Sequence, residues 1–179
     1  MRSRGKILDA TLDLVTDAGF DQITIAAVAE RAGVSRQTVY SIFGSREDLV
    51  AQAVSQVALA ALDDIKTQAS KTENVTDFVV EVIVAGRSFA RSSPVLVAML
   101  RGGDGNPLFD PGVVGRAKII SEQFLSPIHD QLARPDDVAE IMVHLALSLI
   151  LFDDPERRDD DLRDFLRRWL GPALQHTQR

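Results

Sequence analysis

The sequence predicts an all-α protein in two parts, a three-helix head over residues 1–45 and a helical body over residues 46–179, with about nine helices in all. Three observations carry that expectation. Apolar residues recur at spacings of three and four along most of the chain, the period of a helix with one buried face. No run of alternating β-branched residues bounded by hairpin turns occurs, so no strand is expected. Glycine and proline fall where helices would end or begin.

The elements follow in order. Ile7, Thr11, Leu14 and Ala18 form the stripe of the first helix, and Gly19 offers the left-handed residue that stops it. Thr24 is placed to cap a short second helix with Ile25, Val28, Ala29 and Ala32 on one side, ended by Gly33. Ser35 caps the third, whose Val39, Ile42 and Phe43 point inward together with Val34, and Gly44 ends it. Ser45 opens a long fourth helix, with Asp48 completing a capping-box-like pair. Its main stripe is Leu49, Ala53, Val57 and Ala61, widened by Val50, Val54 and Leu62.

Farther on, Pro94, Pro111 and Pro135 each stand where a first helical residue would lie, a position that tolerates the missing N–H. Helices are expected at 76–91, 94–100, 111–132, 135–152 and 160–170, with Pro127 kinking or splitting the third of these. Gly171-Pro172 is expected to close the last one. The segment Arg101–Asp110, with three glycines and a proline, is the conspicuous irregular loop.

Composition narrows the class. The 179 residues are 45% hydrophobic and 26% charged, a globular balance that excludes a disordered or collagen-like chain. With no cysteine, disulfide scaffolds, thiolate zinc sites and cysteine nucleophiles are excluded, and no oxidising compartment is needed. The longest stretch without Asp, Glu, Lys or Arg is Leu49–Leu62, 14 residues. A membrane-spanning helix needs ~20 apolar residues, so no membrane partner is expected. Asp9, Asp13 and Asp17 interrupt the place where a signal peptide would be apolar, which points to the cytoplasm.

The net charge of −6 hides an asymmetry. Residues 1–46 hold six Lys/Arg against five Asp/Glu, whereas residues 47–179 hold 14 against 21. Any contact with nucleic acid should therefore lie in the head.

Enzyme readings find no constellation. His129, His144 and His176 lie 15 and 32 residues apart, without metal spacing. Asp104-Gly105-Asn106 begins like a calcium loop, but Leu108 takes the third ligand position. Gly103 and Gly105 lack the third glycine and the preceding strand of a dinucleotide fingerprint. Asp159-Asp160-Asp161 opens a helix, where carboxylates favour the macrodipole. No catalytic residue, metal or cofactor is assigned, and the chain is read as not an enzyme.

The head has the size of a trihelical DNA-binding unit. On its third helix Arg36, Gln37, Thr38 and Tyr40 can point outward. Arg suits guanine, Gln suits adenine, a Thr methyl can meet thymine, and a Tyr hydroxyl can reach a phosphate. Spacing alone leaves a groove-reading helix and the solvated face of an ordinary bundle equally open.

The residues from Ile23 to Ser35, and from Thr38 to Leu49 with its Tyr40-Ser41-Ile42-Phe43-Gly44 core, resemble the signature of the TetR family of bacterial transcriptional regulators. The resemblance is specific over about residues 5–50, including Gly19-Phe20; beyond that only layout and length are similar. It implies a helix-turn-helix in which Thr24 meets a phosphate, Ser35, Arg36, Gln37 and Thr38 face the groove, and Tyr40 contacts phosphate. Arg46 stands where the family usually has lysine, which keeps the charge and changes the geometry of the implied phosphate contact.

The same resemblance implies that residues 46–179 bind a small-molecule effector and dimerise. Its two-fold interface would lie on the last two long helices, at Leu145, Leu149, Phe152, Phe165 and Trp169. Phe89, Leu96, Met99, Phe124, His129 and Met142 are candidates to line the effector cavity; each also fits as ordinary core, and His129 as a surface residue. The acidic body favours a neutral or cationic effector. The chain is thus expected to be a ligand-responsive repressor that binds a palindromic operator as a homodimer through residues 35–43. Half-sites would be about 34–36 Å apart or a multiple of that. The alternative is a helical small-molecule carrier or interaction protein without DNA binding.

Overall fold

Helices account for the architecture of the computed structural model, which describes residues 2–100, 106–107 and 111–177. The side chains of residues 2, 99 and 100 lie outside that description. In chain order the α-helices are α1 (Arg2–Ala18), α2 (Ile25–Ala32), α3 (Arg36–Phe43), α4 (Arg46–Ala60), α5 (Leu62–Ala69), α6 (Val75–Ser92), α7 (Pro94–Leu100), α8 (Val113–Leu125), α9 (Pro135–Phe152) and α10 (Asp159–Gln175). Two 3-10 segments, Phe20–Gln22 and Ser126–Gln131, complete the set, and there is no strand among the described residues. The all-α class expected from periodicity is what the chain adopts.

The chain forms two units, Met1–Ala58 with Ser93–Val113, and Leu59–Ser92 with Val114–Arg179. The first is built on one apolar cluster. Ile7, Val15, Val28, Val39, Leu49, Val50 and Ala53 are fully buried there, joined by Phe20, Ile23, Phe43 and, from α7, Val95 and Ala98. Full burial of one such aliphatic or aromatic side chain is worth about 1.5–3 kcal/mol, which is why these short helices hold together. Thr11, also fully buried, satisfies its hydroxyl by donating to the Ile7 carbonyl at 2.8 Å. Ile42 departs from expectation: it is 36% exposed, because Val39 and Phe43 already occupy the inner face of the eight-residue α3.

In the second unit α6 is the central helix, packed by α5, α9 and α10. Phe78, Val79, Val80, Ile83 and Val84 bury against Ala61, Ile65, Leu132, Val138, Met142, Leu162 and Leu166. Ion pairs frame that packing: Arg163 grips Glu81 with two hydrogen bonds of 2.8 and 3.0 Å, and Arg167 donates to Asp77 at 2.6 Å.

Several boundaries differ from the sequence reading. The long helix expected from Ser45 breaks at Ala61 without a glycine or proline. Leu49, Val50 and Ala53 of α4 belong to one core, whereas Ala61, Ile65 and Ala69 belong to the other, and the break lets each stretch serve its own. Asp63 and Asp64 then sit in the first turn of α5, where negative charge is favoured. Pro127 splits 111–132 into α8 and the second 3-10 segment, and α8 begins at Val113 rather than Pro111.

Gly171-Pro172 does not close the last helix, which runs on to Gln175. Pro172 removes one helical N–H, yet Leu174 beyond it is 3% exposed in the core, and that burial carries the helix through. His176 then donates Nδ1–H to the Pro172 carbonyl at 2.6 Å.

Candidate nucleic-acid interface

Three residues set the ends of α2 and the turn from it into α3. Thr24 caps α2 in extended geometry, its Oγ1 accepting the Ala27 N–H at 3.1 Å. Gly33 ends α2 at φ 66°, a left-handed conformation that would strain any side chain. Ser35 then caps α3, its Oγ accepting the Thr38 N–H at 3.0 Å while lying 2.8 Å from the Thr38 hydroxyl. Thr24 and Ser35 are therefore structural caps whatever else they contact.

With Val39 and Phe43 turned inward, α3 presents Arg36, Gln37 and Tyr40 to solvent, Tyr40 at 55% exposure. Thr38 is half-buried and tied to Ser35. The exposed trio offers a guanidinium, an amide and a phenol hydroxyl on one helix of a width that enters a major groove.

Beside α3 lies a concavity of about 600 Å³ lined by Asp21, Ile23, Thr24, Ile25, Ala26, Arg36, Tyr40 and Arg46. It brings together Thr24, Arg36, Tyr40 and Arg46, four of the seven residues expected at the interface. The N–H groups of Ile25 and Ala26 belong to the first turn of α2, where amides have no partner within the helix and the dipole favours an anion. The Arg36 cation, hydroxyls and the α2 amides thus line one concave surface, which also carries the Asp21 carboxylate. Ile25 and Ala26 were missed in the sequence, since a helix N-terminus contributes main chain rather than a recognisable side chain.

Arg46 reaches back to the main chain that precedes α2. Its Nε–H donates to the Ile23 carbonyl at 2.5 Å and its Nη2–H to the Phe20 carbonyl at 2.6 Å. Next to it Ser45 caps α4, accepting the Asp48 N–H at 3.0 Å and donating its hydroxyl to the Asp48 carboxylate at 2.7 Å.

The residues expected in the body scatter. Phe152 is 82% exposed, Trp169 67% and Phe165 39%, while Leu149 is 8% exposed within the core and Leu145 is half-buried against it. Arg157 lies over the Phe165 ring, 4.6 Å from its centre. Ile141, 45% exposed on α9, belongs to the same class of outward apolar residues and was not among those expected.

Of the cavity candidates, Met142 is buried and Phe124 packs against the core of the second unit, whereas Leu96 packs against the core of the first. His129 is exposed beside Asp130, with Nδ1 3.3 Å from its carboxylate. The Met99 side chain and the Gly103–Gly105 segment lie outside the described residues. Phe89 lines a cleft of about 500 Å³ with Ala61, Asp64, Ile65, Glu81, Asp159 and Arg163. Among the described residues no group of three or more His, Asp or Glu could hold a metal ion, and no helix is long and apolar enough to cross a membrane.

Comparison with known proteins gives this geometry a context. Residues 7–53 match the family described as bacterial regulatory proteins, tetR family. The HTH-type transcriptional regulator AlkX of Mycobacterium tuberculosis is 31% identical over 183 residues, spanning 96% of this chain and 85% of that one. The HTH-type transcriptional repressor KstR of Rhodococcus jostii is 42% identical over 53 residues, 30% of this chain and 25% of its own. Among solved structures, the TetR family repressor AlkX of a Dietzia species, implicated in biodegradation of n-alkanes, superposes with a TM-score of 0.70 at 24% identity, covering 97% of this chain and 96% of that one. The repressor QsdR of R. erythropolis gives a TM-score of 0.65 at 19% identity, covering 99% and 96%.

Proposed function

Since the chain belongs to the TetR family of bacterial transcriptional regulators, we propose that it is a repressor that binds a palindromic operator as a homodimer, placing residues 35–43 of each protomer in successive major grooves. The protein is a DNA-binding transcriptional regulator; the operator geometry, the assembly and the assignment of contacts are our reading. The observation that carries it is the joint exposure of Arg36, Gln37 and Tyr40 beside the amide-lined concavity at the start of α2. Base edges would be read by Arg36 and Gln37, and phosphates held by Tyr40 and the first turn of α2. We take residues 1–45 as the DNA-binding part and residues 46–179 as the effector-binding and dimerising part.

The exposed Phe152, Phe165 and Trp169 support dimerisation through α9 and α10, since aromatic surface of that kind favours burial against a second copy. A small-molecule effector acts by binding one arrangement of the dimer more tightly than another, which shifts the population away from the DNA-binding form. The deciding experiment is a gel shift with duplex DNA from upstream of the protein's own gene, repeated over a range of salt. Binding that is specific and weakens steeply with salt is the expected result. A folded protein that shows no preference over random duplex would favour the helical carrier instead.

A further inference from the structure

The guanidinium of Arg46, at the first residue of α4, reaches the main chain of an earlier element. Two of its bonds end on the carbonyls of Phe20 and Ile23, which bracket the 3-10 turn immediately before Thr24. The side chain is 22% exposed, and Nη1 stands 3.7 Å from the Glu47 carboxylate. The planar fork of arginine presents Nε and Nη2 in fixed directions and so can meet two carbonyls together; a lysine ammonium on its flexible stem lacks that pre-organised pair.

We propose that Arg46 is a positioning residue for DNA binding, acting through Phe20 and Ile23 rather than on a phosphate. The bonds are short and charge-assisted, the strong kind. They tie the first turn of α4 to the residue preceding the α2 cap, and thereby set where the Thr24 hydroxyl and the Ile25 and Ala26 amides face the DNA. A phosphate drawn to the same guanidinium would have to share it with two carbonyls and lie near Glu47. Any shift of the first turn of α4 is delivered through this fork to the start of α2. The inference rests on the reading of the head as the DNA-binding part.

The test uses the full chain with Arg46→Lys and Arg46→Ala. Its probes are the duplex that the wild-type protein selects from a random-sequence pool and a random duplex. Both variants should lose roughly tenfold or more in affinity for the selected duplex, the loss expected for a charge-assisted bond. The dependence of log affinity on log salt should keep its wild-type slope, because no phosphate contact is removed. In the free variants the Ala27 and Val28 amides, which bond to Thr24, should exchange faster by more than the accompanying fall in melting temperature explains. Wild-type affinity in Arg46→Lys, or a slope reduced by about 0.9 in Arg46→Ala, would assign Arg46 to a phosphate and overturn the proposal. If Arg46→Ala does not fold, Arg46→Lys decides. If the wild type selects no duplex, the DNA reading fails first, and unchanged exchange at Ala27 and Val28 would separately dispose of the latch.

Discussion

Arg87 and Asp153 face each other at 2.6 Å inside the second unit, with 2% and 6% of their side chains exposed. Arg87 also reaches the Asp159 carboxylate and the Arg157 carbonyl, each at 3.0 Å, so one helix of the core holds the connection between α9 and α10. The close contact to Asp153 Oδ2 is not aligned as a hydrogen bond, and Arg87 Nε has no partner. Geometry of this kind makes the pair costly to break rather than strongly stabilising in itself.

Asp153→Ala should therefore destabilise the protein by about 3–5 kcal/mol, by leaving a buried guanidinium without the nearer of its two carboxylates. The double variant Arg87→Met/Asp153→Leu should be less damaging than the single one. Urea unfolding checks both. A loss in Asp153→Ala below ~1 kcal/mol would put the pair with ordinary surface ion pairs.

The second prediction concerns acid. The hydrogen bond from Arg167 holds the Asp77 carboxyl below its ordinary value against the opposing effect of burial, with a further bond from Asn74. A carboxylate depressed in the folded state stabilises the fold above its unfolded value of about 3.9, and that contribution is lost as pH falls through the folded value. Wild type should thus melt higher than Arg167→Ala near neutrality, by a small margin because the pair is partly exposed. The gap should close below about pH 4. A gap that stays constant into strong acid would show that the bond does not act through the Asp77 proton.

Base reading is tested by Arg36→Ala and Gln37→Ala. Each should cost about 1–3 kcal/mol on the selected duplex and relax preference at the base it reads, with little change on random duplex. Retained discrimination in both variants would remove α3 from the groove.

Assembly is tested by contrasting exposed and buried positions. Phe152→Glu and Trp169→Glu should give folded monomers that bind the operator poorly, because those side chains are exposed within one subunit. Leu149→Glu should lower stability by several kcal/mol, since the residue is already buried in its own chain. Sedimentation together with thermal melting separates these outcomes. Intact dimers of both exposed-site variants would place the interface elsewhere.

The head was legible in the sequence because short range decides it. Thr24, Gly33, Ser35 and Gly44 each have a turn or cap role that residue type alone announces, and all four perform it. Arg46 was legible only as a charge; that its fork ends on carbonyls depends on how the turn at Phe20 returns beside α4. In the body, apolar residues at helical spacing look alike whether they face a core or a partner. Leu149 and Phe152 sit three positions apart on α9, yet one is buried and the other 82% exposed. The break at Ala61 carries no local signal, since it arises from two separate cores drawing on one helical stretch.

The chain contains a single tryptophan and a single tyrosine. Trp169 lies exposed on α10 and Tyr40 lies exposed on α3, one in each unit. The two intrinsic chromophores therefore watch different events without any label. Indole emission should shift to the blue when a second copy covers α10, and at concentrations where the protein is already dimeric it should stay unchanged when DNA is added. Phenol emission should respond to DNA and ignore a change in protein concentration. A single cuvette can thus separate self-association from operator binding as a titration proceeds.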